Sequence, residues 1–254
     1  MGAVSSESDG HEPGVGWLTA FLDTPVEHAA TAEAFWCAVS GSVLSARRGP
    51  REEFTTLLPG DGDAYLKAQV VVQTPPGGLH LDVHTHDVPG LAARAEQLGA
   101  SASYHELGYV LCGSPGGLTF CIVGHPGDAV PTPQPWPSGA SRVDQLCLDV
   151  PPSRWDDECT FWAAFTGWAV TPSPTYDEFA RLAVPPAVAL KVLLQRLDDE
   201  HPVVTGHLDV AAVDRDAEVA RHVGLGAHLV RRTGDWTVMA DPAGRAYCVT
   251  DRTP

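Results

Sequence analysis

Four segments of this chain recur in the same order, and a duplication of that length constrains the fold more than composition can. FWCAVSG at 35–41 returns as FWAAFTG at 161–167, and HLDV at 80–83 returns as HLDV at 207–210. LGA at 98–100 returns at 225–227, and SPGGLTFCIV at 114–123 answers DPAGRAYCV at 241–249. The offset is about 126–127 residues each time, far longer than the roughly 20–50 residues of a solenoid unit, so the pattern is that of a duplicated domain. A residue kept in both copies, or lost from both, is informative by internal comparison alone.

Each copy parses alike. A strand (18–23, 144–150) leads into a helix (26–41, 153–167) that ends at a glycine, as a left-handed C-terminal cap requires. Strands ending in AYLKAQVVVQ (64–73) and VALKVLLQRL (188–197) follow. HLDV then opens a fifth strand, with a second helix after it (88–100, 215–227). Short strands (109–113, 236–240), a Pro-Gly turn and a last strand (118–123, 246–250) close the unit. Runs of strands between isolated helices predict an α+β fold with mostly antiparallel sheet. The proline-rich stretch 124–141 reads as a semi-extended linker. The expected organisation is a disordered tail over 1–15, domain one over 16–124, linker over 125–141 and domain two over 142–252.

A formal charge of −16 gives no attraction to a phosphate backbone or an anionic leaflet, so no nucleic-acid or membrane partner is expected. No apolar run approaches the roughly 18–20 residues of a membrane span, and the N-terminus lacks a signal peptide's layout. Six cysteines without a CxxC pair read as free buried thiols of a cytoplasmic protein. Arginine, alanine, glycine and proline are plentiful while Lys67 and Lys191 are the only lysines, a bias that suits a high-GC bacterial source. No GxSxG, P-loop or GxGxxG after a strand supports a hydrolase, NTPase or Rossmann reading.

The order β-α-β-β-β twice per domain resembles the vicinal oxygen chelate superfamily of glyoxalases, bleomycin-resistance proteins and extradiol dioxygenases. So do F-W-x-x-x-x-G at the first helix end, H-L-D-V, L-G-A and the closing [SD]-P-x-G turn. Within it the chain is similar to actinobacterial glyoxalase-like two-domain proteins. The resemblance implies two tandem glyoxalase-like domains, each of two βαβββ modules forming a curled, mostly antiparallel sheet around a cavity. It also implies, for metal-dependent members, one ligand from each of four strands: His or Gln on the first and fifth, Glu on the fourth and eighth. Carried onto this sequence, the fifth-strand position is His80 and His207, and the eighth-strand position is Cys121 and Cys248. The first falls near Trp17 and Val143, and the fourth falls in LKAQ and LKVL, which offer Lys67, Gln69 and Lys191 but no carboxylate. Each copy then keeps one histidine of four expected ligands.

Period-two alternation in HLDVHTHD (80–87) puts His80, Asp82, His84 and His86 on one face. His80, Asp82, His84 and Lys67 are the catalytic candidates. Same-face positions lie roughly 6.5–7 Å apart, so a cation with bonds near 2.1 Å bridges two of them at best. His80 and His207 also suit cavity histidines bonded to neighbouring strands, Cys121 and Cys248 suit plain packing, and Lys67 and Lys191 suit lysines reaching solvent. Ligand-binding candidates are Trp17, Phe21, Gln69, Tyr109, Cys121, Lys191, His207, Asp209, Trp236 and Cys248, since aromatics around a few polar groups describe a small-molecule pocket. Trp36 and Trp162 read as core.

The expectation is a binding or tailoring protein for a small apolar or aromatic natural product or antibiotic-like molecule, without cofactor or catalytic metal. The alternative is a metal-dependent dioxygenase, lyase or isomerase holding Fe, Zn, Ni or Mn on His80 and His84. A third is a non-catalytic structural or regulatory scaffold. The chain is expected as a monomer with its two domains paired, or as a homodimer. Extra histidines in copy one make the N-terminal copy the first place to look for a specialised site.

Overall fold

The computed structural model describes residues 14–105, 107–124, 127–137 and 139–254. The tail expected over 1–15 therefore falls mostly outside the described residues, as do His125, Pro126 and Ser138 of the linker. Copy one begins with β1 (Trp17–Pro25), α1 (Val26–Ser40), β2 (Val43–Leu44), β3 (Phe54–Leu58) and β4 (Leu66–Val71). It continues with β5 (Leu79–His84), α2 (Val88–Gln97), β6 (Ser101–Tyr104), β7 (Val110–Gly113) and β8 (Thr119–Val123). A short β9 (Gln134–Trp136) pairs with the start of β10 (Gly139–Val150), the first long strand of copy two. There follow α3 (Trp155–Thr166), β11 (Val170–Pro172), β12 (Phe179–Leu182) and β13 (Lys191–Arg196). The last module is β14 (Thr205–Ala212), α4 (Arg215–Gly224), β15 (His228–Arg232), β16 (Trp236–Ala240) and β17 (Ala246–Thr250).

Each copy forms one open sheet, ordered β2-β3-β4-β1-β5-β8-β7-β6 and β11-β12-β13-β10-β14-β17-β16-β15. First and last strands of a module run parallel, and the other pairings are antiparallel, including the β1–β5 and β10–β14 seams that join modules. This is the tandem two-module α+β architecture that the duplicated pattern predicts.

Local chemistry sets the helix ends. Gly41 and Gly167, at φ 67° and 75°, stop α1 and α3 in the left-handed region that a side chain disfavours. Asp87 and Asp214 cap α2 and α4 by accepting from the amides of Gly90 and Ala217. The linker is tied back to copy one, where Asp63 accepts from the amides of Asp128 and Ala129 and Asp61 from Thr132.

The aromatic helix faces explain how the copies meet. In α1, Phe35 and Trp36 are buried against Tyr247 of β17, with ring centroids 5.9 and 5.2 Å apart. In α3, Phe161, Trp162 and Phe165 surround Phe120 of β8 at 6.1, 5.4 and 5.4 Å. The first helix of each copy thus packs on the last strand of the other, and both indoles end at a carboxylate. Trp36 Nε1 donates to Asp241 Oδ2 across the interface at 2.9 Å. Trp162 Nε1 donates to Glu158 Oε2 of its own helix at 2.8 Å, and Glu158 Oε1 accepts from the Gly116 amide of copy one. Copy one has Ser114 where copy two has Asp241, so Glu158 supplies the carboxylate that the SPGG turn lacks.

Two arginines stitch this interface. Arg245, buried, binds Asp241 and donates to the carbonyls of Asp23 and Gly78 and the Thr24 hydroxyl. Arg221 donates to the carbonyls of Ala38 and Val39 at the C-terminal end of α1, where the helix dipole favours a cation. Glu218 is desolvated there, yet hydrogen bonds from Arg221, His222 and Ser141 hold its carboxyl down at about 2.

Replacing Arg245 by alanine leaves Asp241 buried without its cation. We expect a loss of about 3–5 kcal/mol in urea unfolding, against under half of that for Arg232→Ala at an exposed ion pair. Glu218 stabilises the fold fully above its ordinary value of 4.5, and this contribution is lost as pH falls from 4.5 towards 2. Glu218→Gln should flatten the fall in melting temperature across that window, measured by calorimetry against the parent protein.

Candidate functional site

The middle four strands of each sheet present the chemistry. Side chains from β4, β1, β5 and β8 line a cavity of about 500 Å³ in copy one, and β13, β10, β14 and β17 line one of about 300 Å³ in copy two. Register places the groups. Phe21 lies opposite His80 and Lys67, Thr19 opposite Asp82, and Asp82 beside Cys121. In copy two, Cys147 lies opposite His207 and Leu193, Gln145 opposite Asp209, and Asp209 beside Cys248.

The first cavity has apolar walls, Phe21, Phe54, Leu107, Tyr109 and Leu111, over a polar floor. His80 stacks on Phe21 at 4.4 Å and 11°, with its Nδ1 2.6 Å from Asp23 Oδ2. A carboxylate at that nitrogen fixes the Nδ1–H tautomer and turns Nε2 towards the cavity. Lys67 Nζ sits 3.2 Å from Asp82 Oδ2 and 5.0 Å from the Phe21 ring centre. Burial, with Asp82 alongside, pushes the Cys121 thiol up to about 12, so it is neutral.

The second cavity repeats the floor with altered neighbours. His207 Nδ1 lies 2.9 Å from Asp149 Oδ2, and its Nε2 lies 3.4 Å from Asp209 Oδ1 and 3.6 Å from Cys248 Sγ. Burial disfavours a charged His207, but Asp149, Cys147 and Asp209 outweigh it and hold the ring's pKa well above the ordinary value. Gln145 Nε2 donates to Asp209 Oδ2 at 2.5 Å. Burial raises Cys248, and pushes Cys147 to about 12. Tyr176, Phe179 and Trp236 form the aromatic wall, their rings 5.6–5.7 Å apart in edge-to-face pairs.

The structure brings His80, Asp82, Lys67, Phe21, Gln69, Tyr109 and Cys121 together in the first cavity, and His207, Asp209, Trp236 and Cys248 in the second. Trp17, His84 and Lys191 line neither. Trp17 donates its indole proton to the Ala64 carbonyl under the linker. His84 bonds the Thr19 hydroxyl through Nε2 and the Gly124 carbonyl through Nδ1, at the end of β5 beyond the cavity. His86 lies past the strand and is exposed. Lys191 binds Asp144, and its side chain is half exposed.

The L-K match between the copies is accidental. Lys67 opposes Phe21, whose counterpart Cys147 opposes Leu193, while Lys191 opposes Gln145, the counterpart of Thr19. Strand register aligns Gln69 with Gln195, each opposite the aspartate of its first strand. Those aspartates, Asp23 and Asp149, are the functional groups that motif reading passed over. Their signal was LD at 22–23 and 148–149, at the same offset as the other repeats.

The four-ligand cage implied by the resemblance does not fit these residues. No glutamate lines either cavity among the described residues, the eighth-strand position is a neutral thiol, and the fourth-strand positions carry Lys67 or Leu193 and glutamines. The donor sets that do converge are three-membered: His80, Asp82 and Cys121; His207, Asp209 and Cys248; and Cys147, Asp149 and His207, each within 4.8 Å.

The glyoxalase-like domain family matches this chain twice, over residues 19–123 and 145–250. The chain belongs to that family. No curated protein matches it. Among solved structures, the Mn(II)-bound glyoxalase from Novosphingobium aromaticivorans aligns at TM-score 0.65 and 14% identity, over 94% of this chain and 82% of that one. An extradiol ring-cleaving dioxygenase from B. fuscum aligns at 0.64 and 13%, over 96% and 73%. A xylose isomerase-like TIM barrel/4-hydroxyphenylpyruvate dioxygenase fusion protein aligns at 0.57 and 14%, over 87% of this glyoxalase-like chain but only 40% of its own length. At such identities the likeness shows the fold, that of the vicinal oxygen chelate superfamily. No helix among the described residues is long and apolar enough to cross a membrane.

The two Asp–His pairs differ in burial, with the Asp23 side chain 2% exposed and that of Asp149 18%. Asp23 Oδ1 has no hydrogen-bond partner, so His80→Ala leaves a buried carboxylate wholly unpaired. That should cost about 1–3 kcal/mol or more. His207→Ala, which leaves Asp149 open to water, should cost less in parallel urea titrations.

Proposed function

We propose that the N-terminal cavity binds a small, largely apolar organic molecule with an aromatic ring, without a catalytic metal. The observation that carries this reading is the cavity itself: about 500 Å³ of space that side chains leave open, walled by aromatic and aliphatic groups over a few fixed polar ones. Phe21 and Tyr109 offer ring faces and edges for stacking, worth about 0.5–1.5 kcal/mol per pair beyond area burial. Lys67, held by Asp82, and the outward Nε2 of His80 offer hydrogen bonds to a ligand hydroxyl, carbonyl or carboxylate. Open cavities in both copies favour binding over a scaffold whose interior is filled. A natural product or antibiotic-like compound in a bacterial cytoplasm has the required chemistry.

The test is a thermal-shift screen of untagged protein with planar aromatic natural products carrying a hydroxyl or carboxylate. A true ligand at about 100 times its Kd should stabilise the fold by about 2.7 kcal/mol. Binding should weaken about tenfold in Tyr109→Ala and in Lys67→Met, and remain unchanged in Trp236→Ala. A panel without a hit, or a hit that depends on Trp236 instead, overturns the assignment.

A further inference from the structure

Strand pairing shows where the cation of the second cavity stands. Phe54 of β3 lies opposite Gln69, and Phe179 of β12 lies opposite Gln195, so the two phenylalanines correspond. Two residues on, Thr56 lies opposite Lys67 in copy one, while Arg181 lies opposite Leu193 in copy two. Between the copies the positive charge has crossed one strand, from the β4 position to that of β12. Alternation puts Arg181 on the face of Phe179, and both line the second cavity.

The two cations differ in what holds them. Lys67 is tied to Asp82 at 3.2 Å. Arg181 is exposed, and no hydrogen bond or ion pair engages its guanidinium among the described residues. The other charged groups of that lining are all engaged. Asp209 accepts from Gln145 and lies against His207, Asp235 accepts from the Tyr176 hydroxyl, Asp251 pairs with Arg215, and Arg252 pairs with Asp144. Arg181 is therefore the one charged group lining this cavity, among the described residues, that is left to a ligand.

Its surroundings decide what that ligand is. A guanidinium presents a planar fork that fits the two oxygens of a carboxylate. Tyr176, Phe179 and Trp236 offer ring faces and edges to a flat apolar body. The floor repels an anion, because His207 there stands between two carboxylates, Asp149 and Asp209. An acid group is thus directed outward to Arg181. At about 300 Å³ the space is smaller than the 500 Å³ of the first cavity, which favours a single ring. We infer that the C-terminal cavity is a second ligand site, for a small aromatic carboxylate of the benzoate type. The ring packs on the aromatic wall and Arg181 binds the carboxylate.

The experiment titrates untagged full-length Lys67→Met protein, whose first cavity lacks its cation, and follows binding by ligand-observed NMR. The probes are benzoate and its neutral and cationic counterparts, benzamide and benzylamine. Benzoate should bind more tightly than either. Adding Arg181→Gln, a change at an exposed position, should weaken benzoate about tenfold or more and leave benzamide unchanged. Absence of benzoate binding, preference for benzamide or benzylamine, or a benzoate affinity indifferent to Arg181→Gln overturns the inference. The ligand of the first cavity is read at Tyr109 and Lys67 and this one at Arg181, so the two assignments fail separately.

Discussion

The exchange of aromatic helix faces between the copies is the contact on which the rest of the molecule depends. Trp36 against Tyr247, and Trp162 against Phe120, bury four large aromatic side chains at one seam. Aromatic rings carry much apolar area and leave an indole N–H that must be satisfied, so each of these two tryptophans also calls for an acceptor. Asp241 meets one demand and Glu158 the other. Arg245 then bonds Asp241, the backbone of Asp23 and the carbonyl of Gly78. The same residue that closes the interface therefore also fixes the end of β1, from which Asp23 reaches His80.

Both cavities follow from this arrangement. Helices packed on the seam leave the middle strands free on their other side, where alternation collects His, Asp and Cys from three strands of each sheet. One substitution in each of two neighbouring strands then separates the copies: Phe21 and Lys67 in the first, Cys147 and Leu193 in the second. A ring and an ammonium favour an aromatic ligand with hydrogen-bonding groups. A thiol and an alkyl chain leave the second cavity's imidazole among carboxylates and sulfur. Duplication kept the floor and let its surroundings diverge.

Much of this was legible as sequence. The repeat offset gave two domains, Gly41 and Gly167 marked helix ends, and HLDV named His80, Asp82, His207 and Asp209 as cavity groups. Other features were hidden for physical reasons. The L-K match misled because pairing aligns Gln69 with Gln195, two residues out of step with the motif, and strand register is a property of neighbours. His84 shares the face of His80 by alternation, yet β5 carries it past the end of the cavity to Thr19 and Gly124. Trp36 and Trp162 read correctly as core, but not as core shared between domains.

The sequence by itself determined the duplication, the α+β module order and the residue types that each strand contributes, because these rest on local periodicity and on caps. Only tertiary structure decided which carboxylate meets which imidazole, and that Lys67 enters a cavity while Lys191 leaves for solvent. Those outcomes depend on pairing between strands distant in the chain. A shift of two residues keeps the face but moves a side chain roughly 7 Å along it, which is enough to separate a cavity lysine from a surface one.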